Sequence, residues 1–176
     1  VVQTLLDRGA DVNMRGLGGN SPLHRAASKN FVAIVKILLQ AKADIELKNE
    51  EEQTPWSCRS LTFFLYLVSD ILRRAGADPN VQGKLGVTRL YEVAASGDID
   101  MVRFLIESGV NPSIRTDFGW APLHWAAHHG KLDCVQALLD ANADPNTVSD
   151  QSTTPLDMAL KANQPVIADV LMNAGA

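Results

Sequence analysis

The sequence predicts an all-α solenoid of stacked helix pairs, and three observations predict it. A short motif recurs as Ser21-Pro22-Leu23-His24, Thr54-Pro55-Trp56-Ser57, Thr88-Arg89-Leu90-Tyr91, Ala121-Pro122-Leu123-His124 and Thr154-Pro155-Leu156-Asp157, its starts 33, 34, 33 and 33 residues apart. About 21 residues after each start comes a turn: Lys42-Ala43-Asp44, Gly76-Ala77-Asp78, Gly109-Val110-Asn111, Asn142-Ala143-Asp144 and Gly175-Ala176. An incomplete unit at the front supplies Gly9-Ala10-Asp11. Between motif and turn run apolar stripes at helical spacing, such as Val32, Val35, Leu38 and Leu39, or Leu132, Val135, Leu138 and Leu139. A fixed period of this length means that each unit is one supersecondary element stacked on the next.

Each element of a unit has its own physical reason. Ser or Thr at the first motif position caps the first helix by accepting a backbone N–H, and proline follows where its missing donor costs nothing. Small residues come next, as in Ala26-Ala27 and Ala126-Ala127, and let neighbouring helices approach to roughly 8 Å. Asn30, Gly97, Gly130 and Asn163 end that helix in a left-handed turn. The second helix carries the apolar stripe, and the Gly-Ala-Asp turn leads through a polar loop to the next cap. Helices this short are marginal in isolation, where ~12–15 residues are needed, so stacking must stabilise them. The period divides the chain into a partial repeat at 1–15 and repeats at about 16–48, 49–82, 83–115, 116–147 and 148–176.

The capping motif, the Ala-Ala pair, the inter-helix glycine and the Gly-Ala-Asp turn together resemble the ankyrin repeat family, across essentially the whole chain. The resemblance implies helix-turn-helix pairs with hairpin-like loops projecting at right angles, and a concave face of loop tips and first helices. It implies protein–protein recognition as the function. It also implies that His24 and His124 hydrogen-bond locally and brace adjacent repeats. The first unit begins at Val1 inside its second helix, and the last helix shows Ile167, Val170, Leu171 and Met172 without a polar outer face. Both features lead to the expectation that the chain is a segment of a larger ankyrin-repeat protein.

Composition narrows the function. With 46% apolar and 20% charged residues, the 176-residue chain reads as folded rather than disordered. A net charge of −4 lacks the basic excess of a nucleic-acid binder. No 18-residue apolar run is present to span a membrane. The charge is uneven: residues 1–90 carry 12 Lys/Arg against 9 Asp/Glu, and residues 91–176 carry 4 against 11. The acidic half either favours a basic protein partner or is a solvated surface. Cys58 and Cys134 stand in no CxxC or Cys/His pattern, which fits a reducing, cytoplasmic or nuclear setting without structural zinc. No P-loop, dinucleotide loop, nucleophile elbow or kinase motif appears, and Gly16-Leu17-Gly18-Gly19 reads as a turn. Neither cofactor nor catalysis is expected.

The second full unit departs from the pattern. Arg59-Ser60 replace small apolar residues, and Leu61-Thr62-Phe63-Phe64-Leu65-Tyr66-Leu67-Val68 stands where the other units turn at Gly or Asn. The expectation is an irregular connection or an extended first helix, with the apolar side chains in the core. A buried Arg59 would need Asp70 or one of Glu50, Glu51 and Glu52 as partner. The other reading makes the chain a structural spacer or self-association module through Phe63, Phe64 and Tyr66.

The strongest binding candidates lie in the second half. Thr116-Asp117-Phe118-Gly119-Trp120 places two aromatics at a loop tip, and Trp125, His128 and His129 share one helix face. Arg115 offers a bidentate donor, and Tyr91 and Glu92 lie in recognition positions one unit earlier. The expected partner-binding set is Tyr91, Glu92, Arg115, Phe118, Trp120, Trp125, His128 and His129, on a monomeric chain. His124 and His128 have the i,i+4 spacing of a metal pair, but no third ligand is placed, so no metal is expected. An enzyme using a groove near His128 and His129 is the alternative from another class.

Overall fold

The computed structural model describes residues 1–58 and 66–176, and every regular element among them is helical. The chain divides into two compact units, Val1–Lys84 and Leu85–Ala176. The expectations on Arg59, Phe63, Phe64 and the turn around them fall largely on residues 59–65, outside the described residues.

The first unit contains α1 (Val2–Asp7), α2 (Pro22–Ser28), α3 (Val32–Gln40) and α4 (Tyr66–Arg74). Pro22 opens α2 behind the Ser21 cap, whose hydroxyl accepts from His24 N at 3.4 Å. Helix α3 packs against α1, α2 and α4. Leu23, Ala27, Val35, Leu38, Val68 and Leu72 make the core, none above 1% exposed. Of the aromatic run, Val68 is buried, Tyr66 half-buried and Leu67 exposed. Asp70 binds Arg73 and Arg74 on its own helix, at 2.8 and 2.7 Å.

The second unit contains α5 (Arg89–Ser96), α6 (Ile99–Glu107), α7 (Pro122–His128), α8 (Leu132–Asp140), α9 (Pro155–Lys161) and α10 (Pro165–Asn173). The first helices α5, α7 and α9 form one layer and the second helices α6, α8 and α10 another, each pair packed together. Ala94, Ala126, Ala127 and Ala159 are fully buried in the first layer, where larger side chains would hold the helices apart. Left-handed turns close the first helices at Asn30, Gly97, Gly130 and Asn163, with φ of 56°, 88°, 70° and 55°. The stripe differs at its front end. Val135 and Leu138 are buried, but Leu132 is 39% exposed and Cys134 takes the buried place. Residues 134, 135 and 138 share a helix face from which 132 is rotated to the flank.

The hairpin loops close by backbone bonds: Gly16 N to Asn20 O, Asn49 N to Gln53 O and Thr116 N to Trp120 O at 2.9 Å, and Ser149 N to Thr153 O at 3.0 Å. Successive hairpins are also joined. Glu50 N donates to Gly18 O (3.1 Å) and Lys84 N to Glu51 O (3.2 Å) in the first unit. Asp117 N donates to Leu85 O (3.0 Å) and Asp150 N to Phe118 O (3.1 Å) in the second. Two residues before each cap the chain turns left-handed, at Gly19, Glu52, Gly86, Gly119 and Ser152. At Gly119 a Cβ would lie 2.5 Å from an Arg115 guanidinium nitrogen and 2.8 Å from Asp150 N, so only glycine fits.

The two motif histidines join neighbouring repeats. His24 Nδ1 accepts from Ser21 N–H (3.2 Å), and its Nε2 lies 2.9 Å from the Gln53 carbonyl. His124 Nδ1 accepts from Ala121 N–H (3.0 Å), and its Nε2 lies 2.9 Å from the Thr153 carbonyl. Accepting at Nδ1 and facing a carbonyl at Nε2 requires the neutral ring protonated at Nε2. Burial holds both rings below the ordinary histidine range.

Two predictions follow from this architecture. An unfolded histidine takes up its proton near pH ~6.5, before the folded one, so the braces stabilise above that pH and weaken as pH falls through the folded value. The unfolding free energy from urea titrations should be flat from pH 8 to 7 and decline below ~6.5, by at most about 1.4 kcal/mol per pH unit for each histidine. A value that rises on acidification would contradict the assigned tautomer. The second concerns α1, which buries no residue, whereas α8 buries Cys134, Val135 and Leu138. Amide exchange should be fastest at Val2 to Leu6 and slowest in α8; equal protection would count against nearest-neighbour stabilisation.

Candidate functional site

The candidate residues gather around α7 in the second unit. The fourth residue of each capping motif normally accepts the N–H of the cap: His24, Ser57, His124 and Asp157 do so. Tyr91 occupies that place in its own motif, and its ring packs edge-on against Trp125 at 6.0 Å and 64°. Burial pushes the Tyr91 hydroxyl up to about 12. The Trp125 indole lies near enough to ease that shift slightly, although its Nε1 completes no hydrogen bond.

Trp125 is the hub. His129 stacks on it at 5.3 Å and 24°, and His128 meets it edge-on at 5.7 Å and 80°. The two imidazoles are 5.0 Å apart. Trp120 meets Trp125 at 6.3 Å and 65°, and stands perpendicular to His124 at 5.2 Å. Such edge-to-face geometry sets positive ring edges on negative faces. Five of the eight expected residues, Tyr91, Trp120, Trp125, His128 and His129, thus form one contiguous cluster. His129 is held below the ordinary range, first by partial desolvation of its ring, then by the adjacent His128 and Lys131. Trp125 Nε1 and His128 Nδ1 are buried without a hydrogen-bond partner among the described residues.

The other three are placed differently. Phe118 sits at the hairpin tip, 53% exposed. Arg115 closes its hairpin: Nε donates to Gly119 O at 3.0 Å, and a terminal nitrogen lies 3.6 Å from Asp150. Glu92 pairs with Arg89 at 3.1 Å. Sequence reading missed Leu85, 59% exposed, whose carbonyl accepts from Asp117 next to Phe118. Its signal was the register, since Leu85 lies 33 residues before Phe118. Among the described residues no three His, Cys, Asp or Glu side chains gather as metal ligands, and no helix is long and apolar enough to cross a membrane.

The geometry separates support from exposure. Trp125→Ala removes a half-buried hub with four ring neighbours and should cost about 3 kcal/mol of unfolding free energy, the low end for a buried aromatic. Phe118→Ala should stay within about 0.5 kcal/mol. Urea denaturation of both variants is the measurement, and equal losses would contradict the assignment.

Two family descriptions match the chain: ankyrin repeats (3 copies) over residues 56–149 and 90–176, and ankyrin repeats (many copies) over residues 5–56. Among individual proteins, human Rabankyrin-5 is 34% identical over 109 residues, covering 60% of this chain and 9% of the relative. A putative ankyrin repeat protein of Rickettsia felis is 41% identical over 63 residues, covering 33% and 28%. Palmitoyltransferase AKR1 of Kluyveromyces lactis is 33% identical over 87 residues, covering 49% and 11%. The chain therefore spans 28% or less of the length of these relatives. Its repeats, braces and matches agree, and the chain belongs to the ankyrin repeat family.

Proposed function

We propose that the second unit holds a protein partner on its first-helix and hairpin-tip side, centred on Phe118, Trp120 and Trp125. Ankyrin repeats are in general protein–protein interaction modules. The observation that carries the reading is the aromatic cluster running from Tyr91 through Trp125 to an exposed His129, beside a half-exposed Phe118. Trp120 and Trp125 supply a floor already locked by ring contacts, so a partner orders few side chains on docking. Phe118 and His129 supply the reachable contact. The chain acts as a monomer within a longer cytoplasmic or nuclear protein, a reducing setting that fits two buried cysteines, Cys58 and Cys134, standing in no CxxC pattern.

Binding fits this cluster better than catalysis. One relative is named a palmitoyltransferase. Here, however, His128 and His129 contact each other and Trp125, and among the described residues no hydrogen bond joins either to a serine or cysteine nucleophile.

A partner recovered with the intact chain supplies the test. Truncating an anchoring aromatic costs about 2–4 kcal/mol, so Trp120→Ala should weaken binding roughly 30-fold or more, with helicity retained. Phe118→Ala should weaken it without changing stability. Lys36→Ala, on the exposed side of α3, should do little. Loss of affinity at Lys36 with none at Phe118 or Trp120 would refute the reading.

A further inference from the structure

The second-helix layer of the second unit presents another surface, independent of the tip-side reading. Its outward positions hold Asp100 and Glu107 on α6, Asp133 and Asp140 on α8 and Asp169 on α10, with Arg103 as the basic member. The equivalent outward positions of α3 are Ala33, Lys36 and Gln40, so the repeat pattern does not impose carboxylates there. Asp100 and Asp133 lie in first turns, where the helix dipole favours them. Glu107 and Asp140 end α6 and α8, where the dipole opposes them. Asp140 accepts from Gln136 one turn back at 2.8 Å, so helix stability leaves Glu107 unexplained.

Between α8 and α10 lies a cavity of about 380 Å³ lined by the half-buried apolar Leu139 and Val170, which make its floor, by exposed Ala174, and by the polar Gln136, Asp140 and Asn173. We propose that this groove takes a basic segment of a partner protein, one apolar side chain on the floor and Lys or Arg toward Asp140, Glu107 and Asp169. Charge complementarity selects that occupant. Nucleic acid and anionic lipid are repelled, and an identical face of a second copy brings the same carboxylates. The apolar floor gives the site a preference that a diffuse counterion field lacks, while the rim charges steer and orient the approach.

The probe is a synthetic helical peptide of ~14 residues with Lys on two faces and a single Leu between them, a helix-in-groove ligand. It is titrated into the full chain with Leu139 and Val170 methyls followed by NMR, at about 0.1 M salt to screen distant charges. Both methyls should shift. Replacing the peptide Leu by Ser should weaken binding about 5-fold, as expected for roughly 1 kcal/mol of lost apolar contact. Asp140→Asn with Glu107→Gln should weaken it about 10-fold or more, and Phe118→Ala should leave it unchanged, which keeps this test separate from the tip-side one. Spermine competing as well as the peptide, shifts that miss Leu139 and Val170, or sensitivity to Phe118→Ala would each overturn the proposal. So would a concentration-dependent mass of the chain alone that Asp140→Asn abolishes, because the occupant would then be a second copy.

Discussion

None of the described helices is longer than nine residues, below the ~12–15 at which an isolated helix persists in water. Every one therefore owes its existence to the helix beside it. Fully buried alanines at positions 94, 126, 127 and 159 are the direct expression of that constraint, because they set how closely the first helices stack. The neutral histidines, the hairpin-to-hairpin backbone bonds and the ring contact of Tyr91 with Trp125 all act between adjacent repeats in the same way. Cohesion is local along the chain and has no single centre.

The parts of this architecture that repeat were legible in the sequence, because a period converts weak local signals into a strong one. The caps at Ser21, Thr88 and Thr154 and the left-handed turns at Asn30, Gly97, Gly130 and Asn163 could be placed from the period, and the braces of His24 and His124 from the family resemblance. What resisted was whatever depends on direction around a helix or on partners elsewhere. Leu132 reads as part of an apolar stripe but is rotated to its flank. Arg115 reads as a donor for a partner but closes its own hairpin. Left-handed Glu52 and Ser152 carry no glycine to announce them. Trp125 and His129 could be assigned to one face by spacing, whereas their stacking could not.

Net charge was similarly blind to direction. Of the 11 acidic residues in the second half, five line the outward side of the second helices, whereas Glu92, Asp117 and Asp150 stand on the side of the aromatic cluster. Binding proposed on the aromatic side would rely on desolvated contact, which salt affects little. The acidic side acts through fields that fall off within about 8 Å at physiological ionic strength. The two proposed surfaces, governed by different physics, would be occupied together without competing.

Hairpin closure has a consequence for how such a chain can diversify. The loops are fastened by peptide groups, from Glu50 N to Gly18 O and from Asp150 N to Phe118 O, and a peptide group is the same whatever side chain it carries. Residues such as Glu50, Asp117, Phe118 and Gln151 can therefore be exchanged almost freely, provided the left-handed residue behind them is kept. The outermost edge is a display surface whose vocabulary is uncoupled from the grammar of the fold, so new specificities are reachable there without passing through unfolded sequences.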